Sequence, residues 1–272
     1  MFRSIWHSTK PSQVISRAVT RSAATTTSPV QFSMDQAGLV TDLYVPPRDL
    51  PSWFTNPKAR WTALKRRVQL LGVNTYMAVK LRREIGRERF QPLEWKETAL
   101  LLYQRTNECF VHRDLSGLSK LTSRWVYGPL AARAQKFPKN VRLDWKLEKL
   151  TAKPKVLSII PLSLPDTPTR FVQTLYRIES RQVLSKLNLD TNKVDKVERT
   201  VVDNVAFIFD TTKSPAEGRL IGSLFETPVN SPMPDPTLSP GSRTEIIRSM
   251  TSRGDIFREP PQYLAIKTEQ TA

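Results

Sequence analysis

Val141 to Leu150 reads VRLDWKLEKL, and within it Val141, Leu143, Trp145 and Leu147 alternate with Arg142, Asp144, Lys146 and Glu148. A two-residue period sends one set of side chains to a core and the other to water, the pattern of a half-wet strand in an antiparallel sheet. Upstream of this stretch the period is that of helices. Asn56 and Pro57 make an N-cap and first-turn signal, and the pattern they open runs to about Arg83, is weakened by Gly72 and ends near Gly86. Pro92 opens a second helix carrying Leu93, Trp95, Ala99, Leu100, Leu102, Cys109 and Phe110, apolar around enough of its surface to be buried. Asp114 caps a third, with Leu118, Leu121, Trp125 and Leu130, a kink at Pro129 and a stop at Phe137-Pro138.

Downstream the period stays at two. Val156 to Leu164 is apolar on both sides, and Thr169 to Leu189 is a long strand with Val172, Thr174, Tyr176 and Ile178 on one side. Asp190-Thr191-Asn192 turns the chain back through Val194 to Asp210, and Leu220 to Phe225 offers a last strand. Helices first and strands after, without βαβ alternation, predict an α+β fold. Its N-terminal helices pack on one face of a curved, cone-like antiparallel sheet.

Around this domain, taken as 56–227, the chain divides by composition. Residues 1–34 contain Arg3, Lys10, Arg17 and Arg21 and no acidic residue, and are rich in Ser and Thr, which is the composition of a mitochondrial transit peptide. Residues 35–55 form an extended lead-in limited by Pro46, Pro47 and Pro51. Five prolines mark 228–241 as a linker. In 242–272, Ser242 and Glu245 form a capping box for a short helix through Arg253, stopped by Gly254 and followed by a tail.

The formal net charge of the 272 residues is +17, and nearly half of it lies in Lys58 to Arg89. Ten basic residues stand there (Lys58, Arg60, Lys65, Arg66, Arg67, Lys80, Arg82, Arg83, Arg87 and Arg89), against Glu84 and Glu88 alone. Trp61, Leu64, Val68, Leu71 and Val79 run through the same stretch at helical spacing. A long basic amphipathic helix suits a polyanion, either the phosphates of RNA or the head groups of an anionic membrane. Arg is suited to bidentate phosphate contact. The absence of an aromatic RNP-type strand motif points to backbone and shape contacts with RNA, not base reading.

Uncharged stretches such as Val68 to Val79 fall well short of the ~20 apolar residues a membrane helix needs. Membrane contact is therefore expected to be peripheral. One cysteine, Cys109, and two histidines leave no disulfide framework and no typical metal set, so no cofactor is expected. Cys109 reads as a packing residue. No phosphate loop, serine elbow or His-carboxylate pair appears. Asp144, Asp203 and His112 are the only candidates for an acid-base site in the cone, with Asp203 where a bulge could fall, and the expectation is that the protein is not an enzyme.

Several runs resemble a known family. They are PPRDLPSWFTNPKARWTALKRRVQLLG from Pro46 to Gly72, VRLDWKLEKLTAKPKVLSIIPLSLP from Val141, VVDNVAFIFD from Val201, IGSLFE from Ile221 and GDIFREPP from Gly254. In this order and spacing they are similar to the fungal MBA-type mitochondrial inner-membrane ribosome receptors. That family is related to a metazoan mitochondrial large-subunit ribosomal protein and to the C-terminal domain of the import-motor anchor. The resemblance implies a peripheral protein on the matrix side of the inner membrane. Its implied partners are the large mitoribosomal subunit (rRNA and tunnel-exit proteins), anionic lipids, the insertase, and nascent organelle-encoded membrane proteins inserted during translation. It implies no catalytic residues. Two alternatives stay open here: a constitutive structural protein of the large subunit, and an import-motor anchor.

Overall fold

A computed structural model describes residues 33–39, 43–162, 170–231 and 242–261. All of the transit-peptide reading except Ser33 and Met34, most of the proline-rich linker and the C-terminal tail after Pro261 lie outside the described residues.

Four helices come first: α1 (Pro57–Ile85), α2 (Pro92–Val111), α3 (Leu115–Leu121) and α4 (Arg124–Lys136). Five antiparallel strands follow: β1 (Val141–Leu150), β2 (Lys155–Leu162), β3 (Phe171–Asn188), β4 (Lys193–Asp210) and β5 (Glu217–Leu224), then α5 (Arg243–Gly254). The α+β architecture expected from the change of period is present. Asn56 caps α1 by accepting from the Ala59 amide at 3.0 Å, and Gly86 ends it. The expected third helix is two. Thr122 leaves helical geometry to bridge Leu220, and the Ser123 amide donates to the Leu220 carbonyl at 2.9 Å. A sheet contact thus overrides a continuous helical pattern.

The sheet is organised on β3, an 18-residue strand and so ~60 Å long. One edge of β3 pairs with β2 along Phe171–Arg177 and with β1 along Ser180–Asn188, while the other pairs with β4 over its whole length. β5 then adds to the far half of β4. Asp203 is not bulged, as the spacing had suggested. It sits opposite Ile178 in an unbroken register, and the irregularity falls instead between Ala206 and Phe207 where β5 joins.

The two faces of the sheet are covered differently. Trp95, Leu102, Phe110, Leu118 and Leu130 from the helices pack on Tyr176, Ile178, Phe207 and Phe209. The opposite face, with Leu175, Ala206, Ile208 and Ile221, is covered by Met34, the last residue of the 1–34 segment, and by Ala37, Leu39 and Val45 of the lead-in. The lead-in is therefore a strap across the second core. It is tied down by Arg177, a buried guanidinium that donates to the Pro46 carbonyl and to Asn204 Oδ1 (3.0 Å) and lies 3.5 Å from Glu226. Burial pushes the Arg177 pKa down, and the carboxylates of Glu226 and Glu179 oppose that.

The two C-terminal motifs meet in one junction. Gly222 has φ of 152°, and a β-carbon there would stand 2.8 Å from the Arg253 carbonyl oxygen. At Gly254 a β-carbon would stand 2.0 Å from the Trp125 carbonyl oxygen, so backbone meets backbone at both positions. Arg258 then donates to Ser223 O at 2.7 Å and lies over the Phe225 ring at 4.4 Å, and Asp255 receives a bidentate pair from Arg133. Cys109 is half-buried beside Asp114, and burial and the neighbouring carboxylate both raise its pKa, which leaves a thiol that packs.

Candidate binding surface

α1 has 29 residues and a length of ~44 Å, and it packs against β2 with Asn74 donating to the Leu157 carbonyl. Only Ala63 and Leu81 are fully buried. The apolar stripe faces water: Trp61 is 64% exposed, Val68 69%, Leu71 67%, Tyr76 65% and Val79 45%, while Leu64 is half-buried. Phe54, just before the helix, is 98% exposed. An apolar row of this extent left in water is unusual for a helix held on its own domain, where such a row would normally face the core.

The basic residues split into two groups. Three of the expected binding residues are held within the fold. Arg60 donates to the Pro51 carbonyl and lies over the Trp53 ring at 5.1 Å. Arg66 donates to the Val229 carbonyl and lies 5.4 Å from the Tyr44 ring centre. Arg67 donates to the carbonyls of Pro47 and Arg48, tying the helix to the strap. The remainder are exposed. Lys58 and Lys65 stand at the N-terminal end of the helix, Lys80, Arg82 and Arg83 at its C-terminal end, and Arg87 and Arg89 in the turn that follows. Lys80 makes an i,i+4 pair with Glu84 at 3.7 Å. The middle of the helix, Val68 to Val79, carries no charge. The surface is thus a rod with cationic ends and an apolar, aromatic centre.

Asp144, His112 and Asp203 are not brought together. Asp144 is on the wet face of β1, and His112 is exposed at the end of α2 with Nδ1 2.8 Å from the Glu108 carbonyl. Asp203 accepts a hydrogen bond from the Tyr103 hydroxyl, which accepts from Gln182 Nε2 at 2.8 Å, while Gln182 Oε1 accepts from Trp145 Nε1 at 3.0 Å. Burial raises the pKa of both Asp203 and Tyr103. This chain links the LDW run to the VVD run and accounts for both as one polar brace. Tyr103 and Gln182 had no signal of their own in the sequence, since each reads as an ordinary residue of its element. The brace sits at the side of an otherwise apolar groove of about 740 Å³. One wall is the ribbon of β1, β3 and β4, with Leu143, Leu184 and Val201, and the other is the ends of α2 and α4 with Phe257.

The family model for MBA1-like protein matches residues 23–262, from the strap through the Gly222–Gly254 junction. The chain belongs to the MBA1-like family. It is similar to the inner membrane mitoribosome receptor MBA1, mitochondrial, of Saccharomyces cerevisiae, with 34% identity over 234 residues, covering 85% of this chain and 82% of the yeast protein. An uncharacterized protein of Schizosaccharomyces pombe is 30% identical over 197 residues, covering 69% of this chain and 68% of that one. The family match takes in all of α1. Among the described residues no helix is long and apolar enough to cross a membrane.

Proposed function

We propose that this protein is a mitochondrial ribosome receptor of the inner membrane, with no catalytic role, and that the outer face of α1 is its membrane-contacting surface. The observation that carries the reading is the outward turn of Trp61, Val68, Leu71, Tyr76 and Val79 between two exposed basic clusters. A helix lying in a membrane interface needs apolar side chains to enter the acyl boundary and cations to meet anionic head groups, at about 1 kcal/mol per charge near the surface. The yeast relative carries the receptor name, which supports the ribosome as the other partner.

In this reading the protein lies peripherally on the matrix side and binds the large mitoribosomal subunit through rRNA phosphates and tunnel-exit proteins. It sets the exit beside the insertase, so that nascent organelle-encoded membrane proteins pass into the bilayer. Lys58 and Lys65 form one cationic end and Lys80 to Arg89 the other, so RNA and lipid can be met by different parts of one rod.

The test is gradient sedimentation of detergent-lysed mitochondria, with flotation of the protein on vesicles in parallel. A variant with Lys65, Arg82 and Arg83 changed to Glu should lose binding to anionic vesicles and weaken on ribosomes, more so at higher salt. Unchanged flotation would remove α1 as the membrane surface. Stoichiometric retention on subunits after a high-salt wash would instead favour a constitutive ribosomal protein.

A further inference from the structure

β4 is paired with β3 along its entire length, from Lys193 opposite Asn188 to Asp210 opposite Phe171. On its other side β5 covers only Asn204 to Asp210. Among the described residues, Lys193–Asp203 therefore has no strand on its other side, and the backbone N–H and C=O groups that point that way have no strand partner. The register along this stretch is unbroken and contains neither bulges nor prolines, so what blunts this edge is charge, from Lys193, Asp195, Lys196, Glu198 and Arg199.

This open edge is also the margin of the 740 Å³ groove. Val197, Arg199, Val201 and Asp203 present alternate side chains to it. A strand added along β4 would hydrogen-bond the edge and place every second side chain over the apolar floor. The polar groups of the floor are already satisfied, because Asp203, Tyr103, Gln182 and Trp145 bond one another. An occupant therefore has to supply apolar side chains there, not hydrogen bonds.

The charges point the same way. On the outer face of the ribbon Arg181 pairs with Glu148 at 2.9 Å and with Glu198, and Lys196 pairs with Glu198 at 2.9 Å, while Arg142, Lys146 and Lys149 of β1 form no ion pair among the described residues. On the groove side Lys136, Lys186 and Arg199 form no ion pair among the described residues, and Asp195, opposite Lys186, pairs with Lys193 instead at 3.5 Å. An open edge, an apolar floor and an unmatched cationic rim fit an extended polypeptide better than an acyl chain, which would leave the edge amides unused.

We propose that Lys193–Asp203 and the groove beside it form a second binding site, for an extended polypeptide segment that adds as a strand to β4. Its alternate side chains are apolar and enter the groove, and its flanks are acidic and meet Lys136, Lys186 and Arg199. The site is independent of α1, no residue of which lines the groove.

The full chain would be titrated into a fluorescein-labelled synthetic peptide of about nine residues, a usual strand length. The peptide has valine at alternate positions, serine or threonine between them, and aspartate at both ends. Saturable binding is expected, with amide hydrogen exchange slowed within Lys193–Asp203. Val201→Asp should weaken it by about tenfold or more, since a carboxylate would enter the apolar floor. Lys186→Glu combined with Arg199→Glu should weaken it by about tenfold and restore it for a probe with lysine ends, a charge-swap rescue that a misfolded variant cannot produce. The proposal is overturned if a probe with consecutive valines binds equally well, or if no saturable binding occurs. It is also overturned if sodium oleate binds the groove while the peptide leaves the β4 amides unprotected, which would make it a lipid site. Protection of the same amides by self-association alone would assign the edge to a second copy and overturn it equally.

Discussion

Changing Trp61 and Leu71 together to Ser should separate membrane contact from stability. Trp61 is 64% exposed. A tryptophan side chain offers ~250 Å², so ~160 Å² is in water, and at ~25 cal/mol per Å² its complete burial would be worth ~4 kcal/mol. Leu71 is 67% exposed, and a fully buried leucine is worth ~1.5–3 kcal/mol, of which the exposed share is ~1–2. A helix lying in the interface buries roughly half of this area, so the pair should contribute ~2–3 kcal/mol to partitioning, or a ~30–150-fold fall in vesicle affinity. Neither side chain is part of the core, so folding stability should change by no more than ~0.5 kcal/mol per site. Flotation on vesicles of anionic and neutral lipid reads the first quantity, and urea unfolding reads the second. Residues 1–32 are the same in both proteins and cancel from the comparison. A fall in affinity below about threefold, or a loss of stability of the size expected for core residues, would refute the reasoning.

The arginines should divide in the same way. Arg66→Ala and Arg67→Ala each remove bonds to carbonyls of Val229 or of Pro47 and Arg48, and should cost ~1–3 kcal/mol in urea unfolding. Arg82→Ala with Arg83→Ala should leave stability unchanged and reduce anionic-vesicle binding by ~1 kcal/mol per charge, an effect that disappears in high salt. Gly254→Ala puts a β-carbon 2.0 Å from the Trp125 carbonyl oxygen, so backbone has to move. A cost of ~1–3 kcal/mol or more is expected, together with faster proteolysis around α5. For pH, burial raises the Asp203 pKa above its unfolded value, so its contribution to stability is full below the ordinary carboxyl pKa of ~3.9 and is lost as pH rises through the raised folded value. Asp203→Asn should flatten that part of the stability–pH profile, as measured by urea unfolding at a series of pH values.

Much of the fold was legible because it is written in local periods. The change from 3.6 to 2 at Val141, the cap at Asn56-Pro57, the Ser242–Glu245 capping box and the turn at Asp190–Asn192 are each satisfied by residues close together in sequence. The split at Thr122 was not legible, because what breaks the helix is Leu220, almost a hundred residues away. The role of the lead-in was hidden for the same reason: Leu39 and Val45 look like any apolar pair in a proline-limited segment until the second face of the sheet is built beneath them.

By itself the sequence determined an α+β order of elements, a long basic helix with an apolar stripe and the motifs of its family. Periodicity, capping and charge are all local properties. Only the tertiary structure decided what that helix presents. Packing against β2 selected a face holding Ala63 and Leu81 and turned Trp61, Val68 and Leu71 to water. The same packing spent Arg60, Arg66 and Arg67 on backbone carbonyls and left Lys58, Lys65, Arg82, Arg83, Arg87 and Arg89 exposed. Which side of an amphipathic helix faces outward depends on what the rest of the chain places behind it, and no period along the helix contains that information.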